Sequence, residues 1–555
     1  MKMVPNILHI ACLGFLLLQL VSWTHAELFT AIAQMEPLLQ THKRIIDDLD
    51  HYIVKEEERI GILKRHLDLY KLEHEKAMED IPNYLGNPIN AFTLIKRLTT
   101  ELDDIEDSIK IGTEYIKNVT MNHADVKYPT LEDLAGAAQA LTRLQTTYHL
   151  NVHDLSEGIL NGIQYSYPMS AADCYELMRA LYNLKDYKNS LAWAMEALRK
   201  FKEENIAHAF TEVELLEYIS FAKYLMGDVK NALEWTEKLL ALDPEHPRAR
   251  GNVPHFKKSV AEQEKELRRK RRGETGDEPS EPEVSDEMQD YAKEREKYEA
   301  LCRGEMDIAS DIAKRLKCRY LTETHPFLRL APIKVEQVYI SPDVFVFHEV
   351  ISDDEISLIQ DLAMPRFKRA VVHDPKTGAL VPANYRISKS SWLRDEESDV
   401  VARLSHRVTD MTGLSVTSAE ELQVVNYGIG GHYEPHYDFA RKHENAFGHF
   451  DGNRIATVLF YMSEVAQGGA TVFTELGLSV FPVKNAALFW MNLHPSGEGD
   501  MATRHAACPV LRGSKWVCNK WLHQGGQELL KPCNLVYQEE GIYRKIPRAV
   551  PKSSR

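Results

Sequence analysis

Apolar residues return every three or four positions along the first part of the chain. Ile45, Leu49, Tyr52, Ile60, Leu63, Leu67 and Tyr70 keep that step across one polar interruption at Glu56, with charges between them. Such a period predicts a helix with a single apolar seam, and its heptad-like spacing suits a coiled coil. Pro82, Asn83, Gly86, Asn87 and Pro88 break the pattern, and Phe92, Leu94, Ile95, Leu98, Leu102, Ile105 and Ile109 resume it. The chain therefore predicts two long helices joined by a turn. A hairpin of this kind can pair with a second copy or close on itself as a bundle. Self-association is the reading taken, which makes 27–165 a helical N-terminal dimerisation region.

A repeat follows. Asp186, Lys188-Asn189, Trp193 and Leu198 recur 42 residues on as Asp228, Lys230-Asn231, Trp235 and Leu240. Each copy reads as helix, short turn, helix, in the tetratricopeptide style but longer than the usual unit. Stacked helix pairs make a concave groove. Tyr218, Phe221 and Tyr224 fall three apart on one predicted helix. An aromatic stripe at that spacing is commonly core. Two tyrosine hydroxyls that need partners argue instead for a partly exposed stripe able to stack on the prolines of an extended peptide. Residues 166–256 are taken as a peptide-binding domain.

From 258 to 298 nearly every residue is charged or turn-forming, including Arg268 to Arg272 and Gly273 to Pro282. The expectation is a helix tail running into a disordered linker, within a segment 257–334. Beyond 335 the period changes to two. Val338–Ile340, Val344–Phe347, Leu422–Tyr427, Thr457–Tyr461, Ala470–Phe473, Ala487–Trp490 and Trp516–Trp521 are rich in aromatic and β-branched residues, and Gly, Asn, Pro and Ser punctuate them. Asp353 to Met364 predicts one amphipathic helix ahead of them. Short strands without a βαβ rhythm predict a jelly roll, that is, a double-stranded β-helix, over 335–535. A tail, 536–555, completes a multidomain α+β chain.

Composition narrows the classes. A chain of 555 residues exceeds one core and fits three or four domains. A net charge of -15 argues against nucleic acid, which needs a basic face. At the start, Lys2, the apolar run Ile7 to Val21 and Thr24-His-Ala26 read as a cleaved signal peptide, 1–26, rather than a membrane span. No second apolar run follows, so the mature chain is expected to be soluble in the secretory pathway. That compartment permits disulfides among Cys174, Cys302, Cys318, Cys508, Cys518 and Cys533, whose six thiols allow fifteen full pairings. It also gives meaning to Asn118-Val-Thr120 as a glycosylation acceptor. The last residues, Pro551 to Arg555, carry no lumenal retention signal, so a partner is expected to hold the chain there.

The chemistry converges between Tyr427 and His523. His436 and Asp438 lie two apart at a predicted strand end and so share a face. Alone, His-x-Asp means little. Here Asn426-Tyr-Gly-Ile-Gly-Gly431 precedes it, letting the backbone turn beside the site, and His505 stands ready on a distant strand. Two imidazoles and one carboxylate on one face of a metal, with positions left open, make a non-haem Fe(II) site. Lys515 adds a cation able to grip the far carboxylate of a dicarboxylate co-substrate whose other end chelates the metal.

On these residues the chain resembles the 2-oxoglutarate dioxygenases. More closely, Tyr433-Glu-Pro-His-Tyr-Asp-Phe439, Gly452-Asn-Arg-Ile-Ala-Thr457, Gly468-Gly-Ala-Thr-Val-Phe473 and Arg504-His-Ala-Ala-Cys-Pro-Val510 resemble the catalytic α subunits of collagen prolyl 4-hydroxylase. The likeness covers essentially the whole mature chain. It implies hydroxylation of proline in X-Pro-Gly sequences of procollagen, consuming 2-oxoglutarate and O₂ and releasing succinate and CO₂, with L-ascorbate as a further cofactor. It implies an α₂β₂ tetramer whose β subunit is protein disulfide isomerase, in the endoplasmic reticulum lumen. By the same likeness His523, Tyr427 and Thr457 line the co-substrate pocket, and Arg386, Tyr433 and Trp521 contact the peptide. In the repeats, Tyr218, Phe221, Tyr224, Arg248 and Asn252 grip proline-rich substrate. His255 stands where the family often has an aromatic residue, which bears on peptide preference. The likeness also implies the disulfides Cys302–Cys318 and Cys508–Cys533, leaving Cys174 as a buried thiol and Cys518 as a small core residue. Two rivals remain: a hydroxylase of another secreted proline-rich protein, and a collagen-binding chaperone with a dead oxygenase domain.

Overall fold

The computed structural model describes residues 30–79, 130–204, 206, 208–271, 286–373, 380–383, 385–442, 444, 447, 452–534 and 549–551. The expected leader, the turn at 82–88, the second apolar run at 92–109, the Asn118 acceptor, the Gly273–Pro282 stretch and most of the tail lie outside them. The chain divides into two compact units, Met35–Thr130 and the remainder. In the first, helix α1 (Pro37–Glu79) carries the predicted seam on one 43-residue helix and buries none of its side chains.

In the second unit, α2 (Leu131–Thr147) precedes the repeats. These are α3 (Ala171–Asn183) with α4 (Tyr187–Glu203), then α5 (Glu212–Leu225) with α6 (Val229–Leu242). The repeated residues start helices. Asp186 and Asp228 sit at the N-caps of α4 and α6, and each carboxylate holds the amide of the repeat's asparagine, Asn189 at 2.8 Å and Asn231 at 2.9 Å. Ser170–Asp173 and Thr211–Glu214 form capping boxes that satisfy the first-turn N–H groups of α3 and α5. The turns match as well: Lys185 and Gly227, equivalent positions, both take positive φ, 64° and 82°. Trp193, Cys174, Met178, Leu181, Leu215 and Ile219 fill the core between the helix pairs.

Helix α7 (Pro247–Arg271) follows, so the basic run starts inside a helix. The expected linker is corrected further on. Asp286–Cys302 is a helix, α8, that buries Tyr298, Leu301 and Cys302. Its apolar stripe is short and its other faces are charged, which is why the composition reads as a linker. Glu294 on one of those faces takes Arg504 through two hydrogen bonds.

The strands of the two largest sheets are β1 (Cys318–Leu321), β2 (Ile333–Tyr339), β3 (Val344–His348), β4 (Lys368–Arg369), β5 (Ser388–Leu393), β6 (Leu422–Tyr427), β7 (Tyr433–His436), β8 (Arg454–Tyr461), β9 (Thr471–Phe473), β10 (Leu478–Val480), β11 (Ala487–Met491), β12 (His505–Ala507) and β13 (Trp516–His523). Nine form an antiparallel sheet in the order β1-β2-β3-β11-β8-β13-β6-β5-β4, and four form a second in the order β7-β12-β9-β10. Sheet pairing thus begins at β1, ahead of the expected boundary at 335.

Alternation assigns each face of the large sheet its own core. Val424, Phe489 and Cys518 point toward α9 (Asp353–Ala363) and α10 (Asp399–Thr412), where Ile356, Ile359, Leu404 and Val408 meet them. Val425, Leu488 and Val517, one residue away in each strand, point toward the small sheet and meet Phe473, Leu478 and Ala507. Strand β6 is buried on both faces along its whole length, with the polar Gln423 and Asn426 buried among its apolar residues. Residues just before α1 join this unit. Ala33 N donates to Asn426 Oδ1 at 3.2 Å, and Lys389 Nζ donates to Gln34 Oε1.

The expected disulfides are corrected. Cys302 is bonded to Cys508, with Cα atoms 5.5 Å apart, while Cys318 and Cys533 are exposed thiols. The cause is tertiary: α8 lays its last residue on the small sheet beside β12, whereas Cys318 opens β1 at the edge of the large sheet, opposite Glu336. Cys174 and Cys518 are buried free thiols. A cross-link over 206 residues removes denatured-state entropy worth about 5 kcal/mol in the loop-closure account. Non-reducing peptide mapping is expected to recover a 302–508 linked pair. A 302–318 pair would overturn the assignment.

Candidate metal centre

The small sheet places the ligand atoms. His436 ends β7 and pairs in register with His505, the first residue of β12. The two rings lie 4.4 Å apart, and Asp438 follows two residues after His436. Side-chain ligand atoms of His436, Asp438 and His505 all fall within 4.8 Å of one another. The Nδ1 of His436 donates to the Glu434 carbonyl at 2.7 Å, and that of His505 to the Thr503 carbonyl at 3.0 Å. Each bond fixes a tautomer and turns the Nε2 lone pair toward the cluster, as metal-binding imidazoles require. The rings are also wedged. Tyr433 stacks on His436 at 3.5 Å, and Trp490 packs edge-on against His505 at 4.8 Å.

Electrostatics favour a cation here. Burial, and then the neighbouring His505, push the His436 imidazolium well below its ordinary range, so the ring is neutral and free to ligate. Burial alone would raise the Asp438 acid. His505, His436, Arg454 and the Trp521 N–H outweigh it and hold the carboxyl at about 2. A buried carboxylate facing two imidazoles is the donor set of a divalent metal, and these residues fit Fe(II).

The other predicted residues divide. Lys515 is 1% exposed, donates to the Gly469 carbonyl at 2.6 Å, and lies 5.0 Å from the Tyr427 ring centroid. Among the described residues no carboxylate comes within ion-pair distance of it, and burial pushes its pKa down to about 7. A buried ammonium without a counter-ion beside a buried tyrosine fits the far carboxylate of a dicarboxylate.

Thr457 and Trp521 both donate to Asp438. Thr457 Oγ1 donates to Asp438 Oδ2 at 2.8 Å, and Trp521 Nε1 donates to the same oxygen at 2.9 Å. His523 is fully buried, its ring nitrogens 2.9 Å from the Gly452 carbonyl and from Glu420 Oε1. Arg386 bonds the Val371 carbonyl at 3.1 Å and Gln423 at 3.0 Å, and its guanidinium lies 4.8 Å from the Tyr433 ring centroid.

In the repeats, Tyr218 meets Tyr182 edge-on at 5.0 Å, and Tyr224 stacks on Phe256 at 4.6 Å. Phe221 packs with Tyr224 against the same small core. All three are half-buried, so the stripe is partly core and partly open. The Tyr224 hydroxyl bonds exposed His255 at 2.7 Å. Arg248 is exposed and pairs with Glu217 at 2.8 Å, and Asn252 is half-buried.

Sequence reading missed Glu420 and Asn492. Asn492 Nδ2 donates to Thr457 Oγ1 at 2.9 Å, which leaves the threonine hydroxyl hydrogen for Asp438. Neither residue belongs to a spaced pattern. Glu420 precedes β6 and Asn492 follows β11, and only the sheet brings them to the site.

Comparison with known proteins finds three family models along the chain. The N-terminal region of the prolyl 4-hydroxylase alpha subunit matches residues 31–162. The prolyl 4-hydroxylase peptide-substrate-binding domain matches 171–262, and the 2OG-Fe(II) oxygenase superfamily matches 422–523. The chain is 46% identical to prolyl 4-hydroxylase subunit alpha-1 of Rattus norvegicus over 92% of its length and 96% of the relative's. It is 47% identical to subunit alpha-2 of Caenorhabditis elegans, covering 93% and 95% of the two chains. Against the Homo sapiens subunit alpha-1 it is 45% identical over 95% and 99%.

Proposed function

We propose, from the premise that this chain belongs to the prolyl 4-hydroxylase alpha subunits, that its oxygenase domain hydroxylates proline at carbon 4 in X-Pro-Gly sequences of procollagen. The observation that carries this reading is the triad with both Nδ1 atoms tied back, together with a buried lysine that has no counter-ion among the described residues. Fe(II), when bound with 2-oxoglutarate and O₂, supplies the oxidant, and succinate and CO₂ leave.

The protein's own contribution is positional. His436, Asp438 and His505 would hold the metal. Lys515 anchors the far carboxylate of 2-oxoglutarate, and Tyr427 walls that pocket. Tyr433, stacked on a ligand ring, and Arg386 border the path of the peptide. Burial of these groups keeps bulk water from the reacting centre, where charge interactions are strongest. The domain itself is read as a jelly roll. The groove beside Tyr218, Phe221, Tyr224, Arg248 and Asn252 holds a polyproline-II strand near the site and raises its local concentration.

The same reading extends to the setting. Helix α1 pairs with a second copy as a coiled coil, a protein disulfide isomerase β subunit completes an α₂β₂ tetramer, Asn118 is glycosylated, and the complex works in the endoplasmic reticulum lumen with L-ascorbate keeping the iron reduced. Among the described residues no helix is long and apolar enough to cross a membrane.

The test is 2-oxoglutarate decarboxylation by the complex, with and without a Pro-Pro-Gly peptide. Turnover that rises with the peptide and yields 4-hydroxyproline is expected. Turnover driven only by a different proline-rich peptide moves the substrate, and none with either leaves the chaperone. Tyr224→Ala tests the groove separately. Losing one aromatic contact costs about 0.5–1.5 kcal/mol, so KM for a long Pro-Pro-Gly peptide should rise roughly 2- to 12-fold at unchanged kcat. An unchanged KM would remove Tyr224 from the groove.

A further inference from the structure

A buried charged chain lies behind the triad. Glu420 is 5% exposed and accepts from Arg454 Nη2 at 2.8 Å, from Arg454 Nε, and from His523 Nε2 at 2.9 Å. Its backbone N–H donates to the Trp521 carbonyl at 2.9 Å. The Arg454 guanidinium lies 3.9 Å from the Trp521 ring centroid, with Phe447 at 4.6 Å. Its Nη1 is 3.4 Å from the Asp438 carbonyl. The indole N–H then reaches Asp438 Oδ2. A continuous path therefore runs from the Glu420 carboxylate through the guanidinium and the indole to the metal-binding carboxylate.

The path has a physical use. Rotation of an aspartate carboxylate about χ2 is soft. One hydrogen bond from Thr457 sets its distance, and a second from a fixed direction sets its plane. Trp521 supplies that direction only while its ring is held, and the flat guanidinium against its face holds it. A buried trio built on the Glu420–Arg454 ion pair is poor evidence for stability, because desolvation offsets its attraction. Orientation is the better account of a trio set beside a ligand.

We propose that Glu420 is a positioning residue for the hydroxylation: it fixes Arg454, which clamps the Trp521 indole so that its N–H orients Asp438 for the metal. The proposal rests on the triad holding Fe(II).

Mn(II), whose free ion is visible by EPR, reads the site without turnover. Glu420→Gln keeps shape and an acceptor but releases the bidentate clamp. Removing a group that orients a ligand weakens metal binding about 10- to 100-fold, so the Mn(II) Kd should rise by that factor while KM for 2-oxoglutarate at saturating metal holds. Arg454→Lys keeps the charge without the planar fork and should fall the same way. Trp521→Phe keeps a ring for the stack and deletes only the N–H. It should match Glu420→Gln, and the double variant should lose no more than either single one. Mn(II) affinity within twofold of wild type in Glu420→Gln, or losses that add in the double variant, overturn the proposal. If Glu420→Gln does not fold, Trp521→Phe alone decides, and normal affinity there overturns it. Wild-type protein that fails to bind Mn(II) overturns the triad reading itself, a separable result.

Discussion

Asp438→Asn is expected to abolish coupled turnover and metal retention together while leaving the fold intact. The substitution is chosen for what it keeps. Asn is nearly isosteric with Asp and still offers an oxygen to Thr457 Oγ1 and Trp521 Nε1, which would otherwise be buried donors without acceptors, each costing about 1–3 kcal/mol. What it removes is the charge. The carboxyl sits at about 2, so at any working pH it is an anion facing two imidazoles. Groups that merely orient a metal ligand matter about 10- to 100-fold, so loss of the anionic ligand should exceed that range. Metal content after dialysis and decarboxylation with a Pro-Pro-Gly peptide are the measurements. His436→Ala and His505→Ala should behave alike. Substantial turnover in any one of the three would remove that residue from the ligand set.

Lys515→Met carries the second large effect. Methionine fills the buried stem without the ammonium, so the pocket is not left empty. Truncating one partner of a buried charge pair costs about 2–5 kcal/mol, and at 1.4 kcal/mol per tenfold KM for 2-oxoglutarate should rise roughly 30- to 4000-fold. The metal Kd should hold. The pH dependence has a definite sign. Burial holds the ammonium at about 7 in the free site, and binding a carboxylate requires the protonated form. Below pH 7 the proton is in place. Above it each binding event must take one up, so KM rises with pH, by up to about tenfold per unit. In Lys515→Met that rise should disappear. An unchanged KM, or an unchanged pH slope, would exclude Lys515 from its role.

The candidate site was legible to different depths. His436 and Asp438 were read as neighbours on one strand face, but β7 ends at His436 and Asp438 lies in the bend after it, so the bend rather than strand alternation brings them together. Lys515 was legible only in combination. Thr457 and Trp521 were singled out as a pocket-lining residue and a peptide contact, and their hydrogen bonds to Asp438 were not legible in the sequence. Glu420 could not be found at all, because a lone acid before a strand carries no pattern.

The disulfides failed for a related reason. The family likeness implied Cys302 with Cys318, yet α8 delivers Cys302 to Cys508, 206 residues away. Helix α8 was hidden because charged faces outnumber its short buried stripe.

Local periodicity therefore determined what local physics controls: the seam of α1, the repeat with its capping aspartates, and the strands. Each depends on neighbours within one or two turns, whose geometry is the same in any fold. Sheet order, the Cys302–Cys508 bond, the pairing of His436 with His505, and the path from Glu420 to Asp438 were decided only by the tertiary structure. They join residues far apart in the chain, and what selects them is the burial of two opposite faces of one sheet, an energy that exists only once the whole domain has closed.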